Sequence, residues 1–214
     1  MRTTAVLPVK SFARAKQRLG DVVGSEDRER LAAAMVTDVL AALTSVAEID
    51  DVVVVTAEPL AARAAEKAGA AVVNDPDEVG QSAAVSRGID AALERGAERA
   101  LLVPGDCPAL EPAEVAALLQ RLGPVVIVPD RHGSGTNALL LTPPYAIAPA
   151  FGTGSFARHA ALAHGRAEVC EVPSLGLDVD TPDDLAALRA ALAAHPGGAP
   201  RTRALLEAHA PAVA

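Results

Sequence analysis

The chain has 214 residues, 19 Lys and Arg against 27 Asp and Glu, and a formal charge of −8; half of it is hydrophobic, yet it holds only three Phe, one Tyr and no Trp. The apolar content excludes a disordered chain, and an acidic, aromatic-poor balance argues against nucleic acid as a partner, since that needs a basic face or stacking platforms. No apolar run approaches the roughly 18 residues of a membrane span, the N-terminal apolar segment is too short for a signal peptide, and Cys107 and Cys170 are too few for a disulfide scaffold; a soluble, cytoplasmic protein with no membrane partner is expected.

In chain order, the spacing predicts a strand over Thr4–Val9 and, after a long polar loop, a helix over Glu26–Leu43. A strand at Asp51–Thr56, a helix at Pro59–Ala68, a strand at Ala71–Asn74 and a helix at Gln81–Arg95 follow. Then come a strand at Arg99–Pro104 and a helix at Pro112–Leu122, and two neighbouring strands at Val125–Pro129 and Asn137–Leu141 break the alternation. A helix at Ser155–His164, a strand at Glu168–Val172 and a helix at Pro182–Ala194 complete the pattern, and a hinge at His195–Pro200 leads into a short helix, Arg201–His209. The strands read as near-continuous apolar runs, which suits burial on both faces of a parallel sheet. The expected fold is therefore α/β: a three-layer α/β/α sandwich around a mostly parallel, Rossmann-like sheet with right-handed crossovers. Residues 1–194 form a single domain in this reading, and residues 195–214 are a tail belonging to it.

In open α/β sheets ligands gather at the carboxyl ends of the strands. From Arg2 to Gly20 the chain carries five basic residues (Arg2, Lys10, Arg14, Lys16, Arg18) and no acid. There is no GxGxxG and no Walker motif in the loop after the first strand, so Lys10, Lys16 and Arg18 would bind phosphates through side-chain charge, unless the loop is simply solvated. Asp106 sits at the tip of the fourth strand, in Pro104-Gly105-Asp106-Cys107-Pro108. In an extended Asp178-Val179-Asp180 both carboxylates share a face. Asp106, Asp178 and Asp180 together would make a hard-oxygen site suited to Mg²⁺; capping of the next helix is the plainer role for Asp180, although Thr181 is the better cap.

Two small-residue loops, His132-Gly133-Ser134-Gly135 and Phe151-Gly152-Thr153-Gly154-Ser155, would let backbone amides approach a second anion, or are plain turns. The segment Asn74–Ala83 either reads a nucleobase edge or is a long acidic turn. Among the five His no zinc-like pairing is visible, Cys107 reads as a small buried filler, and no GxSxG elbow is present.

These motifs, AVLPVKSFARAKQRL, LLVPGDCPAL, PDRHGSGTNAL, FGTGSFARH and LDVDTPDDL, together resemble the guanylyltransferases of coenzyme F-420 biosynthesis, within the nucleotidyltransferase fold (the nucleotide-diphospho-sugar transferase type). The resemblance implies transfer of GMP from GTP to phosphoenolpyruvate or 2-phospho-L-lactate, with release of diphosphate. It implies that Thr136, Gly152 and Ser155 hold the acid, that Asp106, Asp178 and Asp180 hold Mg²⁺, with Asp106 catalytic, and that catalytic Lys10, Lys16 and Arg18 lie over the GTP phosphates. Ser82 stands where family members often carry Asn, at the base or ribose contact. The partners expected are thus GTP and a three-carbon phospho-acid, in a monomer or homodimer. Other readings are a nucleotidyltransferase acting on 3-phosphoglycerate, a molybdopterin or a sugar phosphate, and a non-catalytic nucleotide-binding regulatory subunit.

Overall fold

The computed structural model describes residues 1–14, 16–20 and 23–208. Its strands are β1 (Thr3–Val9), β2 (Asp51–Thr56), β3 (Ala71–Asn74), β4 (Arg99–Leu102), β5 (Val125–Pro129), β6 (Thr136–Leu141) and β7 (Ala167–Val169). They form one sheet in the order β3-β2-β1-β4-β6-β5-β7. Among the described residues only β6 runs antiparallel, between β4 and β5; every other pairing is parallel. The expected three-layer, mostly parallel α/β fold is the one observed.

The helices are α1 (Ser25–Thr44), α2 (Pro59–Lys67), α3 (Gln81–Glu94), α4 (Pro112–Leu118), α5 (Ser155–Leu162), α6 (Pro173–Gly176), α7 (Pro182–Ala194) and α8 (Pro200–Ala208). Apolar residues of α1, α2, α4 and α6 cover one sheet face, and those of α3 and α5 cover the other. Alternate residues of β1 divide accordingly: Ala5, Leu7 and Val9 face the first layer and Val6 the second. A third apolar cluster joins Leu31 and Met35 of α1 to Leu188 of α7 and Leu206 of α8, so the tail helix packs back on α1. Its predicted end at His209 lies outside the described residues.

Two local features position the site. Gly88 lets α3 lie close on the sheet: a Cβ there would stand 2.3 Å from Val6 Cγ1 and 2.9 Å from Val55 Cγ2. The register of β5 against β6 shifts between Val128 and Pro129, where Val128 pairs with Ala138 but Pro129 pairs with Thr136. Asn137 is the extra residue of this bulge, and a bulge re-aims the side chains on either side of it. Some boundaries differ from expectation. The last strand ends early because Pro173 opens the unexpected turn α6, and α4 stops at Leu118 rather than Leu122.

Candidate active site

The sheet order reverses at β1, whose neighbours β2 and β4 lead away on opposite sides. The crevice expected at such a switch point is present. A cavity of about 310 Å³ opens there, lined among others by Lys10, Lys16, Asp75, Gln81, Asp106 and Asp180.

At its floor the Lys16 ammonium bridges two carboxylates, 2.6 Å from Asp106 Oδ2 and 3.0 Å from Asp180 Oδ1. Lys16 takes a left-handed backbone conformation (φ 55°) at the start of a short 3-10 turn, Gln17–Leu19. Burial alone would lower the Lys16 pKa, but Asp106 and then Asp180 outweigh it, so the net shift is upward and the ammonium stays charged. The backbone joins the two acidic segments, because Val179 N donates to Asp106 O at 3.1 Å. Asp180 is fixed from behind by a capping box. Asp184 Oδ2 accepts from Asp180 N and Thr181 N, while Thr181 Oγ1 accepts from Asp184 N. Thr181 is thus the cap, and the Asp180 carboxylate is left for the cleft.

Asp178 is close enough that Asp106 and Asp180 reinforce the rise in its pKa that burial begins. Its carboxylate, however, accepts from Asn137 Nδ2 at 3.0 Å. Among the described residues no three His, Cys, Asp or Glu side chains are arranged to hold a metal ion. Asp106 and Asp180 thus converge on the Lys16 ammonium, while Asp178, near both, is paired with Asn137. Two hard oxygen donors aimed at one cation remain a donor set that fits Mg²⁺.

Two backbone amides of the basic loop are already paired. The amides of Ser11 and Phe12 are held by carboxylates of the chain itself, Glu78 Oε1 at 2.6 Å and Glu58 Oε2 at 3.0 Å. Neither of these amides is free for another anion. Lys10 and Lys16 line the cavity, whereas exposed Arg18 does not. Ser82 does not line it either; its Oγ accepts from Phe151 N at 2.9 Å and ties the start of α3 to the FGTGS loop. The neighbouring Gln81 lines the cavity instead.

Thr136, Gly152 and Ser155 come together beside the cleft rather than in its lining. Ser155 Oγ accepts from Thr136 N at 2.9 Å, and Thr136 Oγ1 lies 2.9 Å from His159 Nδ1. Gly152 (φ 105°) and Gly154 (φ 71°) take backbone angles that favour glycine, and Arg158 holds the carbonyls of Ala150, Phe151 and Thr153. The amides of the HGSG loop are not available to a substrate anion. Asp130 already accepts from His132 N, Ser134 N and Gly135 N.

Three residues take positions that the sequence does not assign them individually, although Asp75 lies in the Asn74–Ala83 segment, a candidate for reading the base. Asn137 is placed by a bulge that no alternation pattern announces. His159 is fully buried at the Thr136 hydroxyl although nothing near it in sequence marks it. Asp75 lines the cleft, 5% exposed, with an Oδ1 that has no hydrogen-bond partner; Arg87 approaches it only to 3.4 Å. Cys107 is buried as expected, and burial followed by the Asp106 charge pushes its thiol well up, away from the reactive thiolate.

A mostly parallel sheet with one antiparallel strand and a charged crevice at the β1–β4 switch point is a fold shared with nucleotidyltransferases. The same fold appears in a protein from Desulfovibrio desulfuricans provisionally described as a nucleotide-diphospho-sugar transferase, with a TM-score of 0.77 at 19% identity over 97% of this chain and 95% of that one. A nucleotidyl transferase from Methanothermobacter shares it with a TM-score of 0.65 at 20% identity, over 91% and 99% of the two chains. Within that class, residues 3–192 match the family model "Guanylyl transferase CofC like", and the chain belongs to this family. It is 51% identical to the phosphoenolpyruvate guanylyltransferase of Conexibacter woesei, over 96% of both chains. It is 40% identical to that of Sphaerobacter thermophilus, over 86% of this chain and 91% of the relative.

Proposed function

We propose that the chain transfers GMP from GTP to phosphoenolpyruvate, or to 2-phospho-L-lactate, releasing diphosphate, as a cytoplasmic step of coenzyme F-420 biosynthesis. The observation that carries this reading is the Asp106–Lys16–Asp180 bridge at the switch point of a chain so similar to named guanylyltransferases. The Asp75 carboxylate supports guanine as the base. The carboxylate lines the cleft beside Arg87, and such a group accepts from the guanine edge, which offers two donors where adenine offers one.

In the reaction a phosphate oxygen of the acid bonds to the α-phosphorus of GTP while the bond from that phosphorus to the bridging oxygen of the diphosphate breaks. The nucleophile is already ionised near pH 7, because a phosphate monoester has a second pKa of about 6. No general base is required. Lys10 and Lys16 offset charge on the diphosphate as it leaves, and Thr136, Gly152 and Ser155 hold the acid. Mg²⁺, held by Asp106 and Asp180 with Asp178 alongside, would supply charge that draws two anions together. Catalysis is then positioning and electrostatics rather than proton transfer.

The test supplies each of the four nucleoside triphosphates with Mg²⁺ and, separately, phosphoenolpyruvate, 2-phospho-L-lactate and 3-phosphoglycerate. Diphosphate release is measured and the product weighed by mass spectrometry. Release is expected with GTP and one of the first two acids. Release with none of the acids overturns the assignment.

A further inference from the structure

We propose that His159 is a positioning residue for the acceptor: its ring fixes the direction in which the Thr136 hydroxyl donates its proton, toward an anionic oxygen of the phospho-acid. This rests on Thr136 and Ser155 holding the acid, as proposed above. The tautomer follows from counting protons. The Ala150 amide can only donate, and it lies 2.9 Å from His159 Nε2, so Nε2 carries the lone pair. A neutral ring then bears its proton on Nδ1 and donates to Thr136 Oγ1 at 2.9 Å. The other tautomer would set two N–H groups against each other. Burial, with the Arg158 charge nearby, pushes the ring's pKa down to about 4 and keeps it neutral. Phe151 packs edge-on at 5.0 Å and 71° and holds the ring plane.

The Thr136 oxygen thus receives a hydrogen bond, and its own proton is left to give. Ser155 is in the same position, since its Oγ receives the Thr136 amide. Among the described residues neither proton has an acceptor. Two buried hydroxyls, 7% and 2% exposed by residue, each keep a proton that an anionic oxygen can accept. A hydroxyl that accepts one bond is also a stronger donor in the next.

Two amide variants separate the ring's two bonds. The side chain of His159→Gln reaches the Nε2 position and can accept from Ala150 but cannot donate to Thr136; that of His159→Asn does the reverse. With GTP saturating, His159→Gln is expected to raise the KM for the acid roughly ten-fold, equivalent to about 1.4 kcal/mol, with the KM for GTP unchanged. His159→Asn is expected to keep the acid KM within about two-fold of wild type while lowering the thermal midpoint further than His159→Gln does. Thr136→Val raises the acid KM alone, and adding His159→Gln to it raises the value no further. If the acid KM follows the thermal midpoint in both amide variants, or if His159→Gln multiplies the effect of Thr136→Val, His159 is merely structural and the proposal is overturned. If Thr136→Val itself leaves the acid KM unchanged, the acid-site reading falls and takes this one with it.

Discussion

Asp106 and Asp180 hold one ammonium between them, and neither carboxylate is free to move without leaving Lys16 buried and underpaired. Removing one charge leaves Lys16 paired with the other carboxylate, and backbone and capping bonds fix the acidic loop, so the fold should survive at some cost in stability while turnover falls further. Asp106→Asn is expected to lower kcat by about 10²–10³-fold with an unchanged circular dichroism spectrum; turnover within a few-fold of wild type would remove Asp106 from the chemistry. A pH effect belongs to the same scale. The unfolded chain protonates His159 below pH 6.5, whereas the folded ring resists down to about 4. The stability it contributes is thus present above 6.5 and lost as pH falls from 6.5 to 4, by at most about 1.4 kcal/mol per pH unit. Urea unfolding of wild type and His159→Gln should show their stability difference narrowing over that interval.

At the scale of elements, Gly88 leaves no room in α3 for a side chain. Alanine is the better helix former, but here its Cβ would collide with Val6 and Val55 on two central strands. Gly88→Ala is expected to cost about 1–3 kcal/mol, read as a lower thermal midpoint. The same displacement would raise the KM for GTP, because Gly80 and Gln81 at the start of α3 line the cleft. Most elements were legible because apolar runs and Pro or Gly punctuation mark them, as in Pro59 of α2 and Thr181-Pro182 of α7. The charges of the site were legible for a related reason: Lys16, Asp106 and Asp180 follow strands or precede a capped helix. What stayed hidden depends on tertiary register. The bulge at Asn137 turns a side chain that alternation would place with Leu139 toward Asp178 instead. His159 finds Thr136 from 23 residues away and Ala150 from nine, so no local spacing records the cluster.

Across the whole molecule, the tail is held by a buried carboxylate of α1. Asp38 accepts from Thr202 N at 2.8 Å and Arg201 N at 3.3 Å, satisfying amides in the first turn of α8. Asp38→Ala leaves both without that acceptor and is expected to cost about 1–3 kcal/mol, measured as a fall in the urea midpoint with an unchanged slope.

The position of β6 bears on how the chain is made. Strands β1 to β4 are complete by Leu102, but the outer side of β4 pairs only with β6, which begins at Thr136. A nascent chain leaving the ribosome therefore carries an open, apolar strand edge until the β5–β6 hairpin emerges and docks. Such an edge is a template for pairing with another chain. The bipartite sheet suits fragment complementation, with the β4–β6 seam as the joint where two separately made halves would find each other.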